Sequence, residues 1–201
     1  LSPLQTEALC TLLWVYGIAS LLCFLVSSIA DNYSQVDKLW SIMPIPYLWI
    51  LADYSDYNPR MVLMAVLVSL WGIRLTLNFA RRGGYSFKFW TGEEDYRWSI
   101  LRSKPGFEKK WKWMLFNLVF ISAYQMGLVL LTTLPGLRVL NSSVQLGIYD
   151  GILAILILAF IFIEYLADQQ QYDYQSVKYV QRAAGKVDDF YQVGFVHTGL
   201  W

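Results

Sequence analysis

Ionisable and metal-binding side chains are scarce in this chain of 201 residues. Only 15% of the residues are charged, and the chain has one histidine and two cysteines. Cys10 and Cys23 lie in the same apolar stretch at a spacing that points them to different faces of a helix. The sequence therefore predicts neither a disulfide nor a metal site.

A net excess of charge and a dinucleotide fingerprint are also missing. The formal net charge is +1, so the sequence predicts no nucleic-acid partner. The pair Gly83-Gly84 is not preceded by a predicted strand, and the pattern Gly-x-Gly-x-x-Gly does not occur. The spacing of residues by itself identifies no cofactor.

Apolar residues are abundant: 56% of the chain is hydrophobic, 17% is aromatic, and the mean hydropathy is +0.38. Four stretches are long enough to cross a bilayer as helices, which takes about 20 apolar residues. They are Ala8–Ile29, Met61–Ala80, Met114–Leu134 and Ile148–Ala167. This pattern predicts an integral membrane protein that forms one domain over residues 1–201.

A fifth, shorter element completes the predicted bundle. Leu39–Ala52 has 14 residues, and Pro44 and Pro46 are expected to prevent a regular helix there. We interpret it as a kinked or partly unwound crossing that begins near Val36 and Asp37. The alternative is a re-entrant segment, which would reverse the orientation of the N-terminus. The predicted fold is an all-α transmembrane bundle of about five elements.

Basic residues are concentrated in one loop, and this sets the predicted topology. Nine lysines and arginines lie in residues 81–113, whereas residues 53–60 and 135–147 hold one each, Arg60 and Arg138. The positive-inside rule places the 81–113 loop and the C-terminus on the cytoplasmic or matrix side. The expected location is the endoplasmic reticulum, another organelle membrane or the mitochondrial inner membrane in a eukaryote, and the inner membrane in a bacterium.

A few polar side chains interrupt the apolar stretches, where they are costly unless they face a partner or a wet cavity. They are Arg74, Asn78, Asn117 and Glu164. In the predicted topology all four lie toward the inner side of the membrane, where they are expected to form one polar layer. The competing interpretation is that Arg74 and Arg81 extend to lipid headgroups and that Glu164 pairs with Arg74 to hold helices together.

The loop beside this layer combines glycines, charges and aromatic residues. Arg81-Arg82-Gly83-Gly84 is followed by the stretch Gly92–Trp98. A positive rim with glycines suits a phosphate-bearing ligand, because guanidinium groups bind phosphate oxygens in a bidentate manner. The competing interpretation is that the basic residues contact anionic lipid headgroups and that Trp111 and Trp113 form an interfacial belt.

Five short motifs occur in order between Val36 and the last residue. They are Val36–Ser41, Trp71–Leu75, Gly92–Trp98, Glu164-x-x-Ala167-Asp168-x-Gln170 and Gly199-Leu200-Trp201. Together they resemble the membrane family related to the steroid 5-alpha-reductase C-terminal domain, in its uncharacterised branch. In that family the Gly-Leu-Trp element is followed by an Arg-His-Pro-Asn-Tyr segment and further helices. We therefore expect either part of a longer protein or a shortened relative with an incomplete nucleotide site.

The resemblance implies NADPH-dependent reduction of a carbon–carbon double bond in a steroid or another lipid. Under this hypothesis Glu164 or Tyr165 donates a hydrogen bond to a conjugated carbonyl of the substrate. Cofactor binding is assigned to Arg81, Arg82, Asp95, Tyr96 and Arg97. Binding of the lipid or sterol is assigned to Arg74, Asn78, Asn117, Asp37 and Trp40. The alternative is a non-catalytic, lipid-binding subunit of a larger membrane complex.

Overall fold

The computed structural model describes residues 1–88, 90–186 and 188–201, and its described part is helical without strands. The chain forms two compact units, Leu1–Asp150 and Gly151–Trp201. The first contains α1 (Pro3–Ala30), α2 (Gln35–Trp40), α3 (Pro44–Tyr54), α4 (Pro59–Arg81), α5 (Tyr96–Arg102), α6 (Lys110–Phe116) and α7 (Gln125–Thr133). The long helix α8 (Ile148–Ala183) begins in the first unit and forms most of the second.

Among the described residues, four helical stretches are long and apolar enough to cross a membrane, which confirms the prediction of an integral membrane protein. They are Pro3–Ala30, Pro59–Arg81, Lys110–Arg138 and Ile148–Ala183. The third stretch changes its winding along its length: a π-helical segment, Asn117–Tyr124, joins α6 to α7, and a 3-10 turn, Leu134–Arg138, ends it. Such π-helical segments are rare and are frequently found at functional sites.

The short, proline-containing element consists of two helices joined by a turn. α2 ends at Trp40, and α3 begins at Pro44 and has 11 residues. The prolines therefore start a regular helix, whereas the sequence predicted that they would prevent one. The reason is position: the first residues of a helix have no carbonyl partner for their N–H groups, so proline loses no hydrogen bond there.

One end of the first unit, called here the N-terminal end, is formed by the start of α1 and by two loops. The Gln5 amide donates to the Leu137 carbonyl at 2.9 Å. The Asn58 amide donates to the Ser142 carbonyl at 3.2 Å. The guanidinium of Arg60 forms an ion pair with Asp150, with Nε 2.7 Å from a carboxylate oxygen.

The opposite end, called here the loop end, is formed by residues 31–38 and by the long loop that ends in α5. Arg102 pairs there with Asp31 at 2.7 Å, and Tyr33, Ser34 and Gln35 contact the same loop. Since residue 35 lies at the loop end and Asn58 at the N-terminal end, the segment α2–α3 connects the two ends. This arrangement agrees with the predicted series of about five membrane elements.

In the second unit the tail after α8 folds back along the helix. The Tyr174 hydroxyl donates to the carbonyls of Phe190 and Val193, both at 2.9 Å. Nearer the chain end, the Leu200 N–H donates to Gln170 Oε1 at 3.0 Å and the Trp201 indole donates to the Ala167 carbonyl at 2.9 Å. The two C-terminal motifs of the sequence analysis are therefore in direct contact.

Candidate functional site

A cavity of about 610 Å³ lies at the loop end of the first unit. We call it the Asp37 cavity. It is lined by Ser34, Asp37, Trp40, Ser41, Leu75, Phe79, Arg82, Gly84, Glu93, Glu94, Asp95, Tyr96, Arg97 and Gln125. These residues come from α2 and its flanking positions, from α4 and the loop that follows it, from the start of α5, and from α7. Three of the five sequence motifs thus meet at one cavity, although up to about 60 residues separate them in the chain.

Hydrogen bonds between side chains and backbone hold the loop against α2. The Tyr33 N–H donates to a carboxylate oxygen of Glu94 at 2.6 Å, and the Asp95 N–H donates to the Ser34 hydroxyl at 2.8 Å. The Asn32 amide donates to the carbonyl of Gly92 at 3.1 Å. The acidic stretch before α5 is therefore fixed in place by the residues that precede α2.

Lys38 belongs to this scaffold. Its ammonium group donates to the Thr91 carbonyl at 2.6 Å, and only 5% of the residue is exposed. Burial lowers its pKa below the usual range of a lysine. The backbone carbonyl of Lys38 also accepts a hydrogen bond from the Tyr85 hydroxyl at 2.7 Å. These contacts anchor both halves of the loop to α2.

Asp37 precedes Lys38 in the chain and, unlike Lys38, lines the cavity. The carboxylate is half-buried, and the indole N–H of the buried Trp98 lies 3.5 Å from one of its oxygens. Burial raises the pKa of the Asp37 carboxyl above its usual range. A half-buried carboxylate in a cavity is a candidate for binding a ligand.

Asp95 and Arg97 form an ion pair within the lining. Both carboxylate oxygens lie 2.9 Å from Arg97 Nε, and the same carboxylate caps α5 by accepting from the Arg97 N–H. The guanidinium lowers the pKa of the Asp95 carboxyl. This ion pair offsets part of the positive charge of Arg97, whose side chain is exposed.

The charge of the lining differs from the positive rim that the sequence suggested. Its carboxylates, those of Asp37, Glu93, Glu94 and Asp95, outnumber the guanidiniums of Arg82 and Arg97. The number of basic residues in residues 81–113 does not show which of them face the cavity. The described lining therefore has a negative formal charge.

The polar residues near the end of α4 divide between two roles. Arg81 donates from Nε to the Asn78 side-chain oxygen at 2.9 Å, one helical turn away. Arg82, which follows the helix, lines the Asp37 cavity. Arg74 is half-buried in the same helix and is not among the residues that line the cavity. Of the predicted cofactor and lipid residues on α4 and its end, Arg82 is the one that contributes to the lining.

Asn117 binds another helix. The residue is fully buried, and its amide donates to the hydroxyls of Ser27 at 2.9 Å and Ser28 at 3.1 Å on α1. Its side-chain oxygen accepts from Ser122 at 3.4 Å, five residues later in the π-helical segment. The structure thus places Asn117 in a polar contact between helices and away from the lining of the cavity.

We expect Asn117→Ala to lower the stability of the protein. Removing the amide leaves the two serine hydroxyls of α1 without this partner and creates a small void, at a cost of about 1–3 kcal/mol. The melting temperature in detergent should fall by several degrees. Asn141→Ala is the matched control, because the Asn141 amide makes an exposed hydrogen bond to Ser2. Equal melting temperatures for the two variants would contradict the structural role of Asn117.

Glu164 and Tyr165, the predicted catalytic residues, lie on α8 in the second unit, and both are exposed. They precede the segment of α8 along which the tail folds back. Their predicted role as hydrogen-bond donors to a substrate stays a prediction, as does the pairing of Glu164 with Arg74.

The sequence analysis missed several residues of the cavity. Gln125 is the clearest case, because it is a second amide in the apolar stretch that contains Asn117, and it lines the cavity where Asn117 does not. Its polarity within an apolar run was a usable signal. Phe79 carried no such signal, since apolar residues are expected throughout α4.

Comparison with known proteins gives a family and one curated relative. An uncharacterized protein of Schizosaccharomyces pombe is 36% identical over 159 residues, which cover 76% of this chain and 44% of the relative. The chain thus spans less than half the length of that relative. No solved structure matches the chain. Residues 23–201 match the family described as a protein of unknown function, DUF1295, and the chain belongs to this family.

Proposed function

We propose that the protein is a membrane-bound reductase that holds a lipid or steroid in the Asp37 cavity and uses NADPH to reduce a carbon–carbon double bond. The observation that supports it is the convergence of three motifs, Val36–Ser41, Trp71–Leu75 and Gly92–Trp98, at one end of the first unit. These motifs carry the resemblance to the steroid 5-alpha-reductase family. Their meeting at a cavity is what a shared binding site requires.

The residues of the cavity divide by chemistry. Trp40, Leu75 and Phe79 form apolar walls that suit a lipid and exclude water. Arg82 and Arg97 are the guanidinium groups of the lining and are assigned to phosphate oxygens of the nucleotide. When bound, NADPH supplies the hydride. The lining has more carboxylates than guanidinium groups and therefore fits a nucleotide only in part. The resemblance assigns the rest of the nucleotide site to a segment that follows Gly-Leu-Trp.

The proposed catalytic group is a hydrogen-bond donor to a carbonyl conjugated with the double bond. Such a donor stabilises the negative charge that develops on the carbonyl oxygen when hydride is added. Glu164 and Tyr165 lie in the second unit, and their role as donors stays a prediction, without a ranking between them. A carboxyl donates only when protonated, whereas a phenol donates at neutral pH.

Titration of the purified full-length protein with NADPH tests this function. We expect binding that Arg82→Gln weakens by about tenfold, because a charge-assisted contact with phosphate is lost. Arg138→Gln is the matched control, since Arg138 is an exposed arginine in the 3-10 turn at the N-terminal end. Oxidation of NADPH on addition of an α,β-unsaturated lipid ketone is the second measurement.

A non-catalytic, lipid-binding subunit is the second candidate function. The negative formal charge of the lining favours it, because carboxylates repel the phosphates of a nucleotide. Absence of NADPH binding by folded, full-length protein would exclude the reductase and leave this candidate. Binding that is equally strong in Arg82→Gln would show that the nucleotide occupies another site.

A further inference from the structure

The carboxylates of the Asp37 cavity are not balanced by the cations around them. Asp95 and Arg97 neutralise each other through their ion pair. Beyond this pair, the lining holds three carboxylates, Asp37, Glu93 and Glu94, against the guanidinium of Arg82.

With Lys38, the nearest lysine of α2, counted beside Arg82, the three carboxylates still exceed the cations by one. Lys38 follows Asp37 in the chain, but its ammonium group donates to the Thr91 carbonyl and to Gln35 Oε1. Both acceptors belong to the scaffold that holds the loop, and Lys38 is not among the residues that line the cavity. The lining thus offers more negative than positive charge to a ligand.

Aromatic rings stand beside these carboxylates. Trp40, Phe79 and Tyr96 line the same cavity. The face of an aromatic ring attracts a cation, most strongly when the ring is that of tryptophan. Carboxylates together with aromatic rings form an environment that favours an ammonium group over an anion or a neutral alcohol.

The apolar part of the cavity reaches into the membrane-spanning helices. Leu75 lies six residues before the end of α4, which corresponds to about 9 Å along the helix. Gln125 lies at the start of α7, inside the apolar stretch Lys110–Arg138. A ligand that fills the cavity from the acidic loop to these residues needs a polar head and an apolar body.

We infer that the Asp37 cavity binds an amphiphile whose polar head carries an ammonium group, with the head at Asp37, Glu93 and Glu94 and the apolar body beside Leu75 and Phe79. This inference rests on the proposed function, because it names the class of lipid that the same cavity takes. The ammonium group has two sources, a long-chain amine and a zwitterionic phospholipid. The second also carries a phosphate, for which Arg82 supplies a guanidinium.

Binding of four amphiphiles with the same decyl chain tests the inference on full-length protein in a neutral maltoside detergent. The probes are decylamine, decylphosphocholine, decanol and decyl sulfate, each below its micelle concentration. We expect decylamine or decylphosphocholine to bind about tenfold more tightly than decanol. A loss of decylphosphocholine binding in Arg82→Gln, with decylamine unaffected, would assign the site to a phospholipid head. Binding of decylamine alone would assign it to a long-chain amine.

Substitutions that neutralise single carboxylates test where the ammonium head of the ligand binds. Asp37→Asn should weaken binding of the cationic probe by about threefold to tenfold. Glu7→Gln is the control, because Glu7 is an exposed carboxylate near the N-terminal end of α1. Should Asp37→Asn fail to fold, Glu93→Gln removes an exposed carboxylate of the same lining.

Two results would overturn the inference. One is binding of both decylamine and decylphosphocholine no tighter than that of decanol, and the other is tighter binding of decyl sulfate than of either ammonium-bearing probe. NADPH is left out of these measurements, so they fail or succeed independently of the nucleotide titration. A protein that binds NADPH but prefers decanol would keep the reductase proposal and lose the ammonium-bearing ligand.

Discussion

Gly72→Ala should lower the melting temperature by about 5–10 °C, as expected when a close-packed site receives an extra methyl group. A Cβ at position 72 would lie 2.5 Å from the backbone carbonyl oxygen of Ser41 and 2.9 Å from the Ile45 side chain. The carbonyl cannot rotate away, because it belongs to the turn between α2 and α3. The substitution should therefore push α4 away from the turn that carries Ser41.

Gly17→Ala is the matched control for this prediction. Gly17 also lies in a membrane-spanning helix, but a Cβ there meets no atom within 4 Å. Replacing glycine by alanine in an open helical position is expected to be neutral or to stabilise by about 0.5–1 kcal/mol. Thermal unfolding in detergent, followed by loss of the monodisperse peak, measures both variants. A similar loss in Gly17→Ala would show that the close approach of α4 to Ser41 is not the cause.

The close approach at Gly72 also explains why one of the motifs contains glycine. The motif Trp71–Leu75 lies on α4, whereas Val36–Ser41 forms α2 and the start of the following turn. Glycine lets the two backbones approach, and this brings Leu75 and Ser41 to the same cavity. From the sequence alone, Gly72 was one residue of a pattern without an assigned role.

The membrane helices were predictable because each of them produces a local signal. An apolar run of about 20 residues is sufficient to identify a spanning helix, and the structure has such helices at all four predicted places. The short element Leu39–Ala52 was harder to predict from the sequence. Its prolines have opposite effects inside a helix and at its start, and the sequence did not show that α3 begins at Pro44.

The lining of the cavity could be predicted only in part. Asp37, Trp40 and the residues around Tyr96 were included because they lie in motifs, and they do line the cavity. The charge of the cavity was not predictable from the number of basic residues, since contacts between distant residues decide which charges face it. Lys38, for example, binds the Thr91 carbonyl across 53 positions of the chain.

Asn117 shows the same limit for a single polar residue in an apolar helix. The sequence indicated that burying the Asn117 amide in a membrane helix costs free energy unless the amide has a hydrogen-bond partner. It did not show whether that partner is a ligand or another helix. The hydroxyls of Ser27 and Ser28 lie on the facing helix α1, and the sequence alone did not show that these serines pair with Asn117.

Gly92→Ala should detach the acidic loop from α2 while leaving the membrane helices folded. Gly92 has a φ of 126°, which side-chain-bearing residues rarely adopt, and a Cβ there would lie 2.7 Å from the backbone oxygen of Gly84. The strain alone costs about 1–3 kcal/mol. The carbonyl of Gly92 also accepts the hydrogen bond from Asn32, so a shift of this residue breaks a contact that holds the loop.

The effect of Gly92→Ala is expected at two amides that the loop protects. The Tyr33 N–H donates to Glu94, and the Asp95 N–H donates to Ser34, so both should exchange faster with deuterium once the loop detaches. Gly106→Ala is the control, because Gly106 has a φ of 109° but no atom within 4 Å of an added Cβ. It imposes similar backbone strain without the collision. Unchanged exchange at Tyr33 and Asp95 in Gly92→Ala would contradict the role of this glycine, because those two bonds attach the Asp37 cavity's acidic loop to α2.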